Sequence, residues 1–219
     1  MTRQLTTTLI AAVLSLVAGQ AFAGSVTLDT LIAGGTLTSG DKTISDVFYT
    51  AVGDMPPPEN IIVTPVEDNG NYGFRFNGGF FDIGGDDMAS DAFIEFTVTV
   101  NDPGMEIIGA TLFGNPSVLG GGNGLAQITE TFLPTVTDMQ LEIHDMNPGG
   151  FKGLDSLTFA EGHTTLTVQK DILLDASTGA NATLSFFDQY FTQQPVPEPA
   201  AARMLLFGFL GLLGSRRRR

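Results

Sequence analysis

The chain has 219 residues, 42% of them hydrophobic, and carries 24 acidic side chains against ten lysines and arginines, for a net charge of −14. The basic residues gather at the ends, so between residues 24 and 199 only Lys42, Arg75, Lys152 and Lys170 remain and that stretch carries −20, which repels nucleic acid and anionic membrane surfaces. Cysteine is absent, so packing or bound ions, not disulfides, must hold the fold.

Residues 1–23 open with Arg3, continue through an apolar stretch from Leu9 to Ala18, and end on Ala21 and Ala23 around Phe22. That order is a secretory signal helix with an A-x-A cleavage site before Gly24, so the chain is expected to be exported.

Residues 24–195 read as one domain. FIEFTVTV, 93 to 100, sets Ile94, Phe96, Val98 and Val100 on one face and Glu95, Thr97 and Thr99 on the other, the period-two pattern of a half-buried strand. The same pattern assigns strands to 26–32, 44–52, 72–76, 107–113, 125–132, 139–143, 155–160, 164–174 and 181–191. Turn residues fill 101–104, 114–116, 120–124, 145–150 and 160–163, and MPPPEN, 55 to 60, is an extended connector. Short strands broken by regular turns predict an all-β fold, an antiparallel, jelly-roll-like sandwich.

Few constellations in this domain carry chemistry. There is no thiol nucleophile and no G-x-S-x-G elbow, and the two histidines, His144 and His163, fall at strand ends. GGGNG, 120 to 124, lacks the lysine and hydroxyl residue of a phosphate loop. Glu95, Glu130 and Glu142 lie on strands and could pair as glycosidase acids. A sugar-binding surface would need phenylalanine, since tryptophan is absent and the only tyrosines are Tyr49, Tyr72 and Tyr190. The one metal candidate is IGGDDMASDAF, 83 to 93, where Asp86, Asp87 and Asp91 could ligate calcium, with Asp82 just upstream. It lacks EF-hand spacing, and a solvated acidic loop is the competing reading.

The chain ends in VPEPAAARMLLFGFLGLLGSRRRR, residues 196–219. An apolar helix after Arg203, only marginally long enough to span a bilayer, is followed by Arg216, Arg217, Arg218 and Arg219, which the positive-inside rule holds on the cytoplasmic side. The Pro197, Glu198, Pro199 motif, the hydrophobic helix and the arginine cluster together resemble the PEP-CTERM sorting signal of Gram-negative bacteria. That resemblance implies an exosortase as partner, transient anchoring in the inner membrane, cleavage near the motif, and a destination at the cell surface or in an extracellular matrix of polysaccharide. The expected protein is non-enzymatic and linked to exopolysaccharide or biofilm. The alternative is a polysaccharide-binding or polysaccharide-active module delivered by the same route.

Overall fold

A computed structural model describes residues 21–22, 24–85, 88–133 and 140–196. In chain order its elements are β1 (Ala21–Phe22), β2 (Val26–Thr27), α1 (Leu28–Ile32), β3 (Thr36–Ser39) and β4 (Lys42–Val52). A 3-10 turn at Pro58–Asn60 leads to β5 (Ile62–Asp68), β6 (Asn71–Ile83), β7 (Ser90–Val100), β8 (Met105–Gly120) and β9 (Gly124–Leu133). The chain continues through β10 (Leu141–Asn147), β11 (Phe151–Lys152), β12 (Leu154–His163), β13 (Thr165–Ala176) and β14 (Ala180–Pro195).

These strands form two sheets. One is eight-stranded, ordered β1-β3-β4-β7-β13-β9-β10-β11, and the other six-stranded, ordered β12-β8-β14-β6-β5-β2. All pairings are antiparallel except β1 with β3. The predicted sandwich is the one observed. β7 shows its cause most plainly, because every second residue from Ser90 to Val100 is buried, in the phase read from the sequence.

The inner faces meet in a phenylalanine-rich core. Phe76 of the six-stranded sheet stacks on Phe187 at 4.9 Å and on Phe96 of the opposite sheet at 5.6 Å, and all three are fully buried. Each such ring contributes roughly 1.5–3 kcal/mol from burial, plus about 0.5–1.5 kcal/mol from ring geometry. Gly73 lets β6 and β14 lie close, since a Cβ there would sit 2.0 Å from the Gln189 carbonyl oxygen.

Four local expectations are corrected. Residues 26–32 are not one strand: after Thr27 the chain turns into α1, because Leu28 and Leu31, three apart, both enter the core and Ala33 N–H bonds back to Asp29 O. Gly114, Asn115 and Pro116 are not a turn but lie inside β8, where a bulge in β14 takes up the irregularity. Residues 160–163 likewise belong to β12, and strands β3 and β5 appear where the sequence pattern assigned none.

Candidate functional site

The site is built on the outer face of the six-stranded sheet. Register places Leu154, Phe113, Asp188, Arg75 and Thr64 in one row across β12, β8, β14, β6 and β5. The bulge at Leu184–Phe187 shifts the phase of β14, so the inward set passes from Ala180, Ala182 and Leu184 to Phe187, Gln189 and Phe191, and Phe186 is left on the outer side. Phe187 is core, while the Phe186 ring stands 6.0 Å from that of Phe113. Asn115 fixes the bulge by accepting a hydrogen bond from Phe186 N–H at 3.0 Å.

Arg75 binds Asp188 in bidentate fashion, Nε to Oδ1 at 2.7 Å and Nη2 to Oδ2 at 2.8 Å, and its guanidinium carbon lies 4.3 Å from the Phe186 ring centre. The Asp188 side chain is 1% exposed and that of Arg75 39%, so the carboxylate is a buried anchor and the guanidinium a presented one. The hydrogen bond to Asp188 raises the Arg75 pKa further. The Tyr190 hydroxyl donates to the same carboxylate at 3.2 Å, and burial, reinforced by the Asp188 charge, pushes that phenol up to about 12.

Beside this row lies an open depression of about 650 Å³ lined by Phe113, Asn115, Ser117, Phe151, Gly153 and Leu154. Phe151 is 67% exposed and Leu154 56%. Exposed ring faces beside hydroxyl, amide and guanidinium groups suit a ligand with both apolar C–H faces and polar edges.

The acids named from sequence do not share one site. Glu130 faces inward and is fully buried against Lys170. Glu95 and Glu142 are partly exposed on the eight-stranded sheet, Glu95 accepting from Gln169 at 2.7 Å and Glu142 paired with His144 at 2.7 Å. His163 packs edge-on to Phe159 at 5.9 Å. Tyr49 donates to the Pro56 carbonyl at 2.6 Å, and burial takes its phenol up to about 12.

Of the proposed calcium ligands, Asp86 and Asp87 lie outside the described residues. Asp91, the second residue of β7, lies near Asp171 of β13; burial first and the Asp171 charge second raise its pKa. Asp82 turns inward, accepting from Ser90 Oγ at 2.6 Å and Ala176 N–H at 2.8 Å, which makes it a lock between strands. Among the described residues no cluster of three or more acidic or histidine side chains is placed to hold a metal.

Ala21 sits in β1 opposite Thr36, and Gly24 is exposed. Ala23, Pro197, Glu198, Pro199, Arg216, Arg217, Arg218 and Arg219 lie outside the described residues, as do the two helices expected at the ends.

In class the protein is an antiparallel two-sheet β-sandwich of jelly-roll type. Residues 195–219 match the PEP-CTERM protein-sorting motif, so the chain carries that sorting signal. No curated protein sequence matches the chain.

Similar solved structures include TmCBM61 in complex with β-1,4-galactotriose, at 10% identity and a TM-score of 0.33 over 68% of this chain and 90% of that one. A family 32 carbohydrate-binding module from C. perfringens NanJ, solved with galactose, matches at 10% identity and a TM-score of 0.21 over 65% of this chain and 93% of that one. An accessory secretory protein assembly of Streptococcus pneumoniae matches at 12% identity and 0.29 over 64% and 95%. Likenesses this weak carry no functional argument.

Sequence reading missed the Phe113–Phe186–Arg75–Asp188 cluster, because its members come from three strands. The available signal was the doublet Phe186-Phe187, which period two cannot place on one face.

Proposed function

We propose that this is an exported, non-enzymatic protein of the cell surface or extracellular matrix, delivered through its C-terminal signal and cut there by an exosortase. The observation that carries the reading is the match of residues 195–219 to the PEP-CTERM motif, which implies export and exosortase processing. The separation of Glu95, Glu130 and Glu142 between an outer face and the core supports the non-enzymatic part. Mass spectrometry of the protein from its native envelope is the test. The mature chain should begin at Gly24 and lack residues 204–219, and finding the arginine tail retained in most molecules would overturn the reading.

The outer face of the six-stranded sheet favours a more specific role within this one, the binding of extracellular polysaccharide. Rings at Phe113 and Phe186 offer stacking surfaces, Phe151 from the edge strand β11 of the other sheet lines the same depression, and Arg75 offers donors held in place by Asp188. A glycan array probed with the full chain and with a Phe113→Ala, Phe186→Ala variant tests it. Equal binding by both proteins, or none by either, removes this face from the account.

A further inference from the structure

Between the sheets, an amine, a carboxyl group and a primary amide meet out of reach of water. Lys170 on β13, Glu130 on β9 and Gln189 on β14 are each 0% exposed. Lys170 Nζ contacts Glu130 Oε2 and donates to Gln189 Oε1 at 2.5 Å, with the Phe187 ring centre 5.2 Å away. Glu130 also hydrogen-bonds Gln189. Its other oxygen, Oε1, is buried and has no partner among the described residues.

A dry ion pair with an orphaned oxygen is a poor structural device, because the loss of hydration offsets most of the attraction. Burial works against charge at both ends, raising the Glu130 pKa and lowering that of Lys170. Burial thus favours the neutral form of both groups, and a neutral pair offers the amine lone pair and the carboxyl proton that a nucleophile and a general acid require.

We propose that Lys170 and Gln189 react to form an intramolecular amide cross-link between the two sheets, with Glu130 as the catalytic acid and base. Lys170 Nζ attacks Cδ of Gln189 while the Glu130 carboxyl gives its proton to Oε1. The resulting carboxylate takes a proton from Nζ and passes it to Nε2. The Cδ–Nε2 bond then breaks, ammonia leaves, and return of the Oε1 proton regenerates the Glu130 carboxyl. Gln189 Nε2 is oriented toward the Tyr190 carbonyl at 3.3 Å, which turns the amide oxygen toward the amine. The groups are held together by the fold, and such placement is worth an effective concentration on the order of 10⁵–10⁸ M. The product is a neutral amide, so the buried amine can no longer take up charge.

Lys42 supplies an internal comparison. It too is fully buried and meets a carboxylate, Asp41 at 2.5 Å, and an amide, Gln193 of β14. Asp41 Oδ2 is buried without a partner among the described residues, as Glu130 Oε1 is, but the Asp41 side chain is 18% exposed where Glu130 is fully buried, so only the Lys170 group is wholly withdrawn from water.

Tryptic peptide mapping of the full chain tests the proposal. Lys152 and Arg203 are the basic residues that flank Lys170, and trypsin does not cut after an acylated lysine. Residues 153–203 should therefore emerge as one peptide, lighter by one ammonia, with fragment ions joining Lys170 to Gln189. Glu130→Gln and Lys170→Arg should each give peptides of full mass. Separate full-mass peptides from the unaltered chain overturn the proposal. Loss of water in place of ammonia overturns Gln189 as the acceptor, a link at Lys42 overturns the choice of lysine, and a link that survives Glu130→Gln overturns the role of Glu130.

Discussion

The two sheets bury their inner faces by the same rule and differ on their outer ones. On the eight-stranded sheet most outward positions of β7 and β13 are polar, Asp91, Glu95, Thr97, Thr99, Gln169 and Asp171 among them, while Phe93 and Leu173 are apolar exceptions and Phe93 packs against the exposed Phe48 of β4. On the six-stranded sheet the corresponding positions include Phe81, Phe113, Phe186 and Leu154, with Arg75 among them. Core formation cannot account for apolar rings that face solvent, and on the six-stranded sheet such rings lie against a presented guanidinium, Arg75 over Phe186.

The sharpest test of this contrast lies in two neighbouring residues. Phe187→Ala empties a ring site in the core and should cost about 3–5 kcal/mol, read as a fall in the denaturant midpoint. Phe186→Ala, one residue away, removes a ring from the outer face and should leave that midpoint within about 0.5 kcal/mol of the parent while weakening polysaccharide binding. Equal stability losses would show that the bulge does not separate the two rings.

Arg75→Ala falls between these cases, since it leaves the Asp188 carboxylate buried without its bidentate partner; a loss of about 1.5–3 kcal/mol is expected, with Arg75→Lys recovering only part. The smallest effect should come from the polar face. The raised pKa of Asp91 means that the folded state holds this proton more tightly than the unfolded one. Its ionisation therefore costs stability as pH rises through the folded value, and the penalty is absent below the ordinary carboxylate range. Asp91→Asn should accordingly stabilise the protein at pH 7 by about 0.2–1 kcal/mol and give no gain in acid, checked by melting at both pH values.

Much of this was legible in advance, and the exceptions have identifiable causes. Alternation in LTVQKDILL already puts Lys170 in phase with Leu166, Val168, Ile172 and Leu174, and in LAQITETF it aligns Glu130 with Ala126, Ile128 and Phe132. Two charges on core faces were thus visible before any coordinates; their meeting across neighbouring strands was not, because pairing order is set by the whole sheet. β5 escaped notice because Pro65 interrupts it. The proline is tolerated because β2 covers β5 only at Ile62 and Val63, leaving Pro65 on a free edge. The α1 turn was hidden by its brevity, five residues being too few for a helical period to outweigh the alternation before it.

β14 remains paired with β8 as far as Pro195, and Val196 N–H still bonds Gly104 O at 2.8 Å. The Pro-Glu-Pro motif thus follows the last hydrogen bond of the sheet with almost no slack. Three extended residues reach at most about 11 Å. A processing enzyme working at that motif must accept a folded, strongly acidic body almost against its own surface. Lengthening the chain between Val196 and Pro197 with glycine and serine should relieve that crowding and speed processing at the motif, read as the rate at which the precursor disappears.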